Sequence, residues 1–372
     1  MKIIHIITGL KNGGAENLLY KICRNDCLNN HVVISITSGG KYFLLLRKIG
    51  IKVYSLDMKF YSLLKFFYLI LLLRKFKPDI VQTWLVHGDF VGGLASKLAG
   101  VKNIIWTILY SKLDISIEKI SNILLIKVLS KLSYIIPKSI VVVSKNSKKN
   151  CIKLGYDKKK INLIPIGFDL SIYKINKNQR LNLRKMLEIK REIALIGIVA
   201  RFHPVKDHEN LLNALSNVVT KNKKFCCILV GPGTNKKNKI LFNITKKLGL
   251  ENYVKLLGPR NNISEIMNAL DVNILCSKSE GFPNVVAEAM ACGTPCIVTD
   301  VGDSALIVGK TGWVVPPKNS EILSSTIEKV LDDINKKNWK KRCFLARERV
   351  KKKFEINKMI DSYNLIWKKA HI

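Results

Sequence analysis

The chain has 372 residues, 48% of them hydrophobic, more than one core of ordinary size accommodates and enough for two. Lys and Arg number 63 against 27 Asp and Glu, a formal net charge of +36, and such an excess calls for an anionic partner: nucleic acid, membrane surface or substrate. The nine cysteines show no CxxC pair and no Cys/His cluster at zinc spacing, which excludes a disulfide framework or a structural zinc site and predicts reduced thiols in the cytoplasm.

No aromatic-rich RNA signature, basic zipper or zinc finger accompanies the charge, so nucleic acid is not expected as the partner. Residues 1–168 hold 27 basic and 8 acidic side chains, so acids are scarcer there than in the rest. The opening MKIIHIITG is too short in its apolar part for a signal peptide. The longest apolar run, Leu69 to Leu73 with Phe66 to Tyr68, stays below the roughly 18 residues a spanning helix requires.

In chain order, Lys2–Thr8 reads as a first buried strand, followed by the turn Gly9–Glu16 (GLKNGGAE) and a helix from about Ala15 to Cys27. Gly13 and Gly14 either let the backbone approach a ligand or make an ordinary tight turn. Strands recur at His31–Thr37, Ile51–Leu56, Asp79–Trp84, Asn103–Ile108 and Ser139–Val143, with helix-length segments between, which predicts a parallel, doubly wound sheet. His87 follows Asp79–Trp84 and precedes a small-residue helix starting near Asp89. That places it at the carboxyl, ligand-binding edge, where a core role competes with a functional one. His5, inside the first strand, is structural. Met58–Lys77 and Glu118–Lys138 are basic and apolar at once. They read as helices packed on the sheet with lysine stems reaching outward, or as elements docking on anionic lipid.

A Pro, a Gly and an Asp interrupt the pattern at Ile161–Asp169, setting a boundary between domains 1–168 and 169–372. The alternation then resumes with strand Ile193–Ala200 and a loop holding Arg201 and Lys206 before a helix near Asp207. Two cations beside a helix start suit a diphosphate, Arg as a planar fork and Lys as a point charge; surface charge is the competing reading. Strands follow at Phe225–Val230, Tyr253–Leu257, Asp271–Cys276 and Pro295–Thr299, with Gly231, Gly233 and the turn Gly258–Asn262 at the same edge. Between the last two strands lies SEGFPNVVAEAMACGTPCIVTD, Ser279–Asp300, with a helix from roughly Pro283 to Cys292. Pro283 fits its first turn and Gly293 the position past its end. Glu280 falls in the loop at a strand's carboxyl end and Glu288 inside the helix, whose amino terminus offers donors to phosphate. A carboxylate on each side of an anion site suits a nucleotide-sugar. The alternative is a solvated loop acid and a charge favoured by the helix dipole.

Five pieces in register resemble the retaining glycosyltransferases of family 4: ARFHPVKDH, LVGPG, LLGPRNNISEIMNALDVNILCS, SEGFPNVVAEAMACGTPCIVTDVGD and TGWVVPP. The resemblance covers nearly all of residues 190–335, and the first half more loosely through NGGAE and TWLVHGDFVGGLA. It implies an α/β protein of GT-B architecture, two facing Rossmann-like domains with parallel sheets and a cleft between them. The first would bind the acceptor and the second the nucleotide-sugar, with the C-terminal helices packing back on the first. By the same resemblance Arg201 and Lys206 grip the donor diphosphate, Glu280 addresses the sugar hydroxyls and Glu288 holds the ribose. The backbone at Asn284 and Val285 meets phosphate, and Arg260 to Ile263 receives the base. Gly13 and Gly14 belong to a loop closing over the donor, and His87 lies near the sugar's reactive face. Ile166 departs from the pattern, since the family often has Asn there.

The resemblance further implies transfer with retention; without an Asp-x-Asp metal motif no required divalent ion is expected, and no cofactor. The diphosphate leaves as an oxocarbenium-like centre forms, and its own oxygen receives the acceptor's proton. The expected acceptor is a glycan or polyprenyl-linked envelope glycan, with the protein peripheral on the inner face of the cell membrane. The rivals are a nucleotide-sugar epimerase or hydrolase of the same architecture, and a non-catalytic basic protein binding membrane or nucleic acid through a vestigial site. The intact set of Arg201, Lys206, Glu280 and Glu288 argues against the last.

Overall fold

The computed structural model describes residues 1–58, 62–109 and 120–372. It divides into two compact units, Met1–Gly167 together with Ile356–Ile372, and Phe168–Glu355. The first is built on seven parallel strands: β1 Lys2–Ile7, β2 Asn30–Ser35, β3 Lys52–Ser55, β4 Ile80–Trp84, β5 Ile104–Ile108, β6 Ser139–Val142 and β7 Ile161–Leu163. Their order is β3-β2-β1-β4-β5-β6-β7. The central strands are near-continuous apolar runs such as KIIHII because a parallel sheet is covered on both faces. Right-handed crossovers put helices Leu63–Phe76, Gly93–Leu98 and Ile120–Leu132 on one face and Gly14–Asn25 and Lys41–Lys48 on the other. The C-terminal helix Ile356–His371 packs on Gly14–Asn25.

One feature departs from the sequence reading. The stretch taken as a boundary opens with β7, which pairs with β6; three residues are too few to carry a periodicity. Residues 356–372 belong to the first unit. The two basic apolar segments are helical at Leu63–Phe76 and Ile120–Leu132, while residues 59–61, Glu118 and Lys119 lie outside the described residues.

The second unit has six parallel strands: β8 Ala194–Val199, β9 Phe225–Val230, β10 Val254–Gly258, β11 Val272–Leu275, β12 Cys296–Thr299 and β13 Trp313–Val315. Their order, β10-β9-β8-β11-β12-β13, repeats that of the first sheet. Each sheet reverses direction of winding once, between β1 and β4 and between β8 and β11. Open α/β sheets bind ligands outside the carboxyl ends of the strands at such a switch point. All nine cysteines are free, and burial pushes the Cys276 and Cys296 thiols up to about 12, as inert core residues. Among the described residues no helix is long and apolar enough to cross a membrane.

Candidate active site at the two switch points

In the second unit β8 runs into Arg201, which is exposed, and then into a single 3-10 turn, Pro204–Lys206, capped by the His203 ring accepting from the Val205 N–H at 3.3 Å. Gly231, after β9, has φ +146°, and a Cβ there would lie 2.2 Å from the Ala200 carbonyl oxygen, so only glycine lets these two loops touch. The turn is also tied to the end of β11. The Lys278 N–H donates to the Val205 carbonyl at 2.8 Å, and the Lys278 ammonium pairs with Asp207 at 3.0 Å.

These ties bring Lys206 against Glu280. The ammonium donates to Glu280 Oε1, which also accepts from the Ser277 hydroxyl at 2.6 Å. The Glu280 side chain is only 11% exposed, which removes the solvated-loop reading. Its backbone is locked from the other side by Gly302, at φ +58°, where a Cβ would fall 2.4 Å from the Glu280 carbonyl oxygen.

The helix after Glu280 spans Asn284–Ala291, with Pro283 as its N-cap rather than inside its first turn. Among the described residues no side chain caps it, so its amino terminus keeps donor capacity, and Asn284 Oδ1 is buried without a hydrogen-bond partner among them. Val285 is half-buried beside it, and Glu288, one turn on, is 8% exposed. After burial itself, the Glu288 carboxylate is the main influence raising the Cys292 thiol to about 12. Arg260 is exposed in the loop after β10, and the half-buried Ile263 opens helix Ile263–Ala269. All eight second-unit candidates therefore stand at the carboxyl edge of the sheet, with Lys206 and Glu280 in direct contact.

In the first unit Gly13 is the N-cap of helix Gly14–Asn25 and Gly14 its first residue; among the described residues a Cβ at Gly14 would meet nothing within 4 Å. Gly13 is extended, at φ −149°, so the backbone does not demand glycine at that position. His87 closes a three-residue helix after β4, entered through Leu85 at φ +68°. A π-helix, Gly88–Gly92, follows. The Gly88 N–H donates to Thr8 Oγ1 at 3.2 Å, holding this segment against the end of β1. The buried Asp89 accepts from Thr83 Oγ1 at 2.5 Å, and burial pushes its carboxyl well above the usual range. Burial likewise lowers the His87 imidazole.

Residues 179–344 match the model of glycosyl transferases group 1, and residues 12–172 that of glycosyltransferase family 4. The chain belongs to the group 1 glycosyltransferases of the GT-B fold. It is 29% identical over 295 residues to an Escherichia coli UDP-Gal:alpha-D-GlcNAc-diphosphoundecaprenol alpha-1,3-galactosyltransferase, covering 78% of this chain and 75% of that one. It is also 29% identical over 194 residues to the N-acetyl-alpha-D-glucosaminyl L-malate synthase of Bacillus anthracis, about half of each chain (50% and 49%). The crystal structure of Anabaena Alr3699/HepE in complex with UDP superposes with a TM-score of 0.89 at 24% identity, covering 99% of this chain and 100% of that one. A Rickettsia africae glycosyltransferase gives 0.85 at 20% identity, covering 99% and 98%. At such identities the two structures show the fold.

What sequence reading missed in this glycosyltransferase is a buried polar chain under the first switch point. Trp84 Nε1–H donates to His5 Nδ1 at 3.2 Å, His5 Nε2 meets His31 Nδ1 at 2.9 Å, and His31 Nε2 meets Asp26 at 3.0 Å. The indole can only donate, which assigns the tautomers: His5 carries its proton on Nε2 and His31 on Nε2. Burial, and then the neighbouring His31, hold His5 well below its usual range. Burial alone would raise Asp26, but hydrogen bonds from His31, Asn29 and the Leu28 N–H hold it at about 2. The ligand atoms of His5, Cys23 and His31 lie within 4.8 Å of one another, a metal-like grouping. A neutral His5 bound to metal through Nε2 would carry its proton on Nδ1, facing the Trp84 N–H, so the arrangement fits a neutral hydrogen-bond chain instead. Ser277 and Gly302 were missed as well; the only available signal was a hydroxyl three residues before Glu280.

Proposed function

We propose that this transferase moves a sugar, with retention and without a required divalent ion, from a nucleoside-diphosphate sugar to a glycan or polyprenyl-linked acceptor in envelope polysaccharide synthesis, on the inner face of the cell membrane. The observation that carries the donor half is the Lys206, Glu280 and Ser277 cluster at the second switch point, beside an uncapped helix start. In this reading Arg201 and Lys206 take the diphosphate, the Asn284 and Val285 backbone takes phosphate, and Arg260 with Ile263 borders the base. Glu288 holds ribose and Glu280 the sugar hydroxyls. Gly13, Gly14 and His87, at the first unit's own ligand edge, serve the sugar-transfer end. The acceptor half draws on the undecaprenol-linked and malate-directed relatives.

The step is balanced without a protein nucleophile. The bond between the anomeric carbon and the diphosphate oxygen breaks, the acceptor oxygen bonds to the same face, and its proton passes to the departing phosphate. Charge grows on the leaving group, so preorganised cations and a helix terminus lower the barrier most. Lys206 is paired with Glu280, and a diphosphate would draw the ammonium away, freeing the carboxylate for sugar hydroxyls.

The test separates the two carboxylates. Glu288→Gln is expected to weaken bare nucleoside diphosphate and intact donor alike, roughly tenfold to a hundredfold, as for lost hydrogen bonds to a charged group. Glu280→Gln is expected to leave nucleoside-diphosphate affinity nearly intact and to lower the transfer rate. Calorimetry with UDP, GDP and ADP beside initial rates reads both; an equal loss of nucleotide affinity in both variants would defeat the assignment.

A further inference from the structure

The amino edge of the second sheet, at the opposite end of the strands from the donor edge, opens into a cavity of about 1550 Å³. Ala194, Lys224, Asp271 and Thr294 line it, each at or just before the start of β8, β9, β11 or β12, and the whole lining lies within the second unit. β8 is six residues long and puts about 20 Å between this edge and the one that carries Arg201, Lys206 and Glu280, so both can be occupied at once. The charge in the cavity is one-sided. Nine Lys and Arg line it against three carboxylates, Glu192, Asp271 and Asp332. Lys336 pairs with Asp333 at 2.7 Å, but Lys177, Lys185, Arg191, Lys224, Lys337 and Lys340 are exposed with no ion-pair partner among the described residues. Helices Lys177–Met186, His208–Lys221 and Ser320–Asp333 end beside the cavity, and carboxyl ends of helices attract cations. Three such ends carry about half a negative charge each, which offsets less than about two of the six.

The floor carries a surplus as well. Arg184, which is buried, and Arg180 both hold Asp271, at 3.2 Å and 2.6 Å, so two guanidinium groups share one carboxylate. Arg184 turns its other donors to the Ile193 and Lys190 carbonyls, and Arg180 to those of Ala269 and Leu270. A cation withdrawn from water without a carboxylate of its own is costly, and a bound anion offsets that cost. Arg180, with a side chain 35% exposed, reaches the cavity. Beside the cations stands the half-buried Trp339, stacked on Trp313 at 6.1 Å, which fixes a flat apolar surface in the wall. A concave wall of unpaired cations focuses potential and encloses a compact anion, where a flat basic face would suit an extended polymer.

We propose that this cavity is a second anion site, separate from the donor edge, and that it takes a small oligophosphate. Calorimetry with inorganic tripolyphosphate, run with UDP, GDP and ADP present to fill the donor edge, is expected to show a single site with affinity at least about tenfold above that for orthophosphate. Lys224→Glu, Lys337→Glu and Lys340→Glu together change exposed positions only, so circular dichroism should be unaltered while that affinity falls about tenfold or more. The neutral pair Lys224→Gln with Lys340→Gln should lower it about threefold or more, and reads the site even if the triple variant misfolds. Lys149→Glu, Lys153→Glu and Lys158→Glu make the same change of net charge on the first unit and should leave affinity within about twofold, because charges beyond a Debye length are screened. ATP forms a second arm. Affinity above that for tripolyphosphate, lost in Trp339→Leu, would support the site with a nucleotide as its ligand; equal affinity for the two would support it with the phosphate chain alone as what is recognised. No binding of tripolyphosphate with the donor edge filled overturns the proposal. So do equal losses in the two triple variants, which would make the effect one of net charge, and binding of single-stranded RNA without binding of tripolyphosphate, which would make the face a polymer's.

Discussion

The two units share a strand order and differ in what they place under the switch point. The second holds half-buried ion pairs there, Lys206 on Glu280 and Lys278 on Asp207, on the loops and turn at the strand ends. The first seals in a neutral chain running from Trp84 through His5 and His31 to Asp26, roofed by the C-terminal helix through Asn364 on Asp26 and Trp367 on Gln82. Loop-borne ion pairs at a partly wet edge are individually weak and can be traded for a ligand's charges. A buried hydrogen-bonded chain is costly to break and fixes geometry. A shared strand order thus carries loop-borne ion pairs at the edge of one sheet and a rigid hydrogen-bonded platform in the other.

Lys206→Ala should show this difference most sharply. Turnover is expected to fall about a hundredfold to a thousandfold, as when a preorganised group facing developing charge is lost. Nucleoside-diphosphate affinity should fall with it, and the urea midpoint should barely move. A variant that kept parental turnover would return Lys206 to surface charge.

His5→Leu is expected to do the reverse, leaving the Trp84 N–H and His31 Nδ1 buried without partners. The cost is roughly 2–4 kcal/mol in urea unfolding, with nucleotide affinity unchanged. The folded chain keeps His5 neutral, since its pKa is lowered well below 6.5, whereas the unfolded chain takes up a proton below that value. Stability contributed here is complete above pH 6.5 and declines as pH falls below it, and His5→Leu should flatten that decline. A parental pH slope in the variant would assign the effect elsewhere, with His208, lowered to about 4 chiefly by burial, the alternative in the second unit.

Gly14→Ala is the finest probe. With open space beyond Gly14, stability should hold or rise by up to about 1 kcal/mol, because alanine is the better helix former. A higher donor or acceptor KM in that stable variant would show that the space is kept for ligand. Unchanged kinetics would make the pair an ordinary turn.

Strands were legible in the sequence because buried parallel strands are uninterrupted apolar runs, as Phe225–Val230 shows by matching β9 end to end. The short edge strand β7 was not, and the proline at position 283 fell one place outside its helix. At the candidate site Lys206 and Glu280 were visible by type and position relative to strand ends. Their contact was not, since it forms across 74 positions. The His5 and His31 pairing spans 26 positions and Asp26 with Asn364 spans 338, so local pattern holds no trace of either.

The return of Ile356–Ile372 to the first unit has a consequence for biosynthesis. Domains usually fold in the order in which they are made, at about 5–20 residues per second. Here the segment that leaves the ribosome first cannot cover Asp26, His31 and Gln82 until the last helix is made. With Phe168–Glu355 translated in between, that wait is roughly 10–40 s. The second unit, whose entry and exit are joined by the Phe168 N–H on the Phe354 carbonyl at 2.8 Å, is complete before the first. The nascent first sheet therefore spends translation with part of one face uncovered, and the unit begun first is the unit finished last.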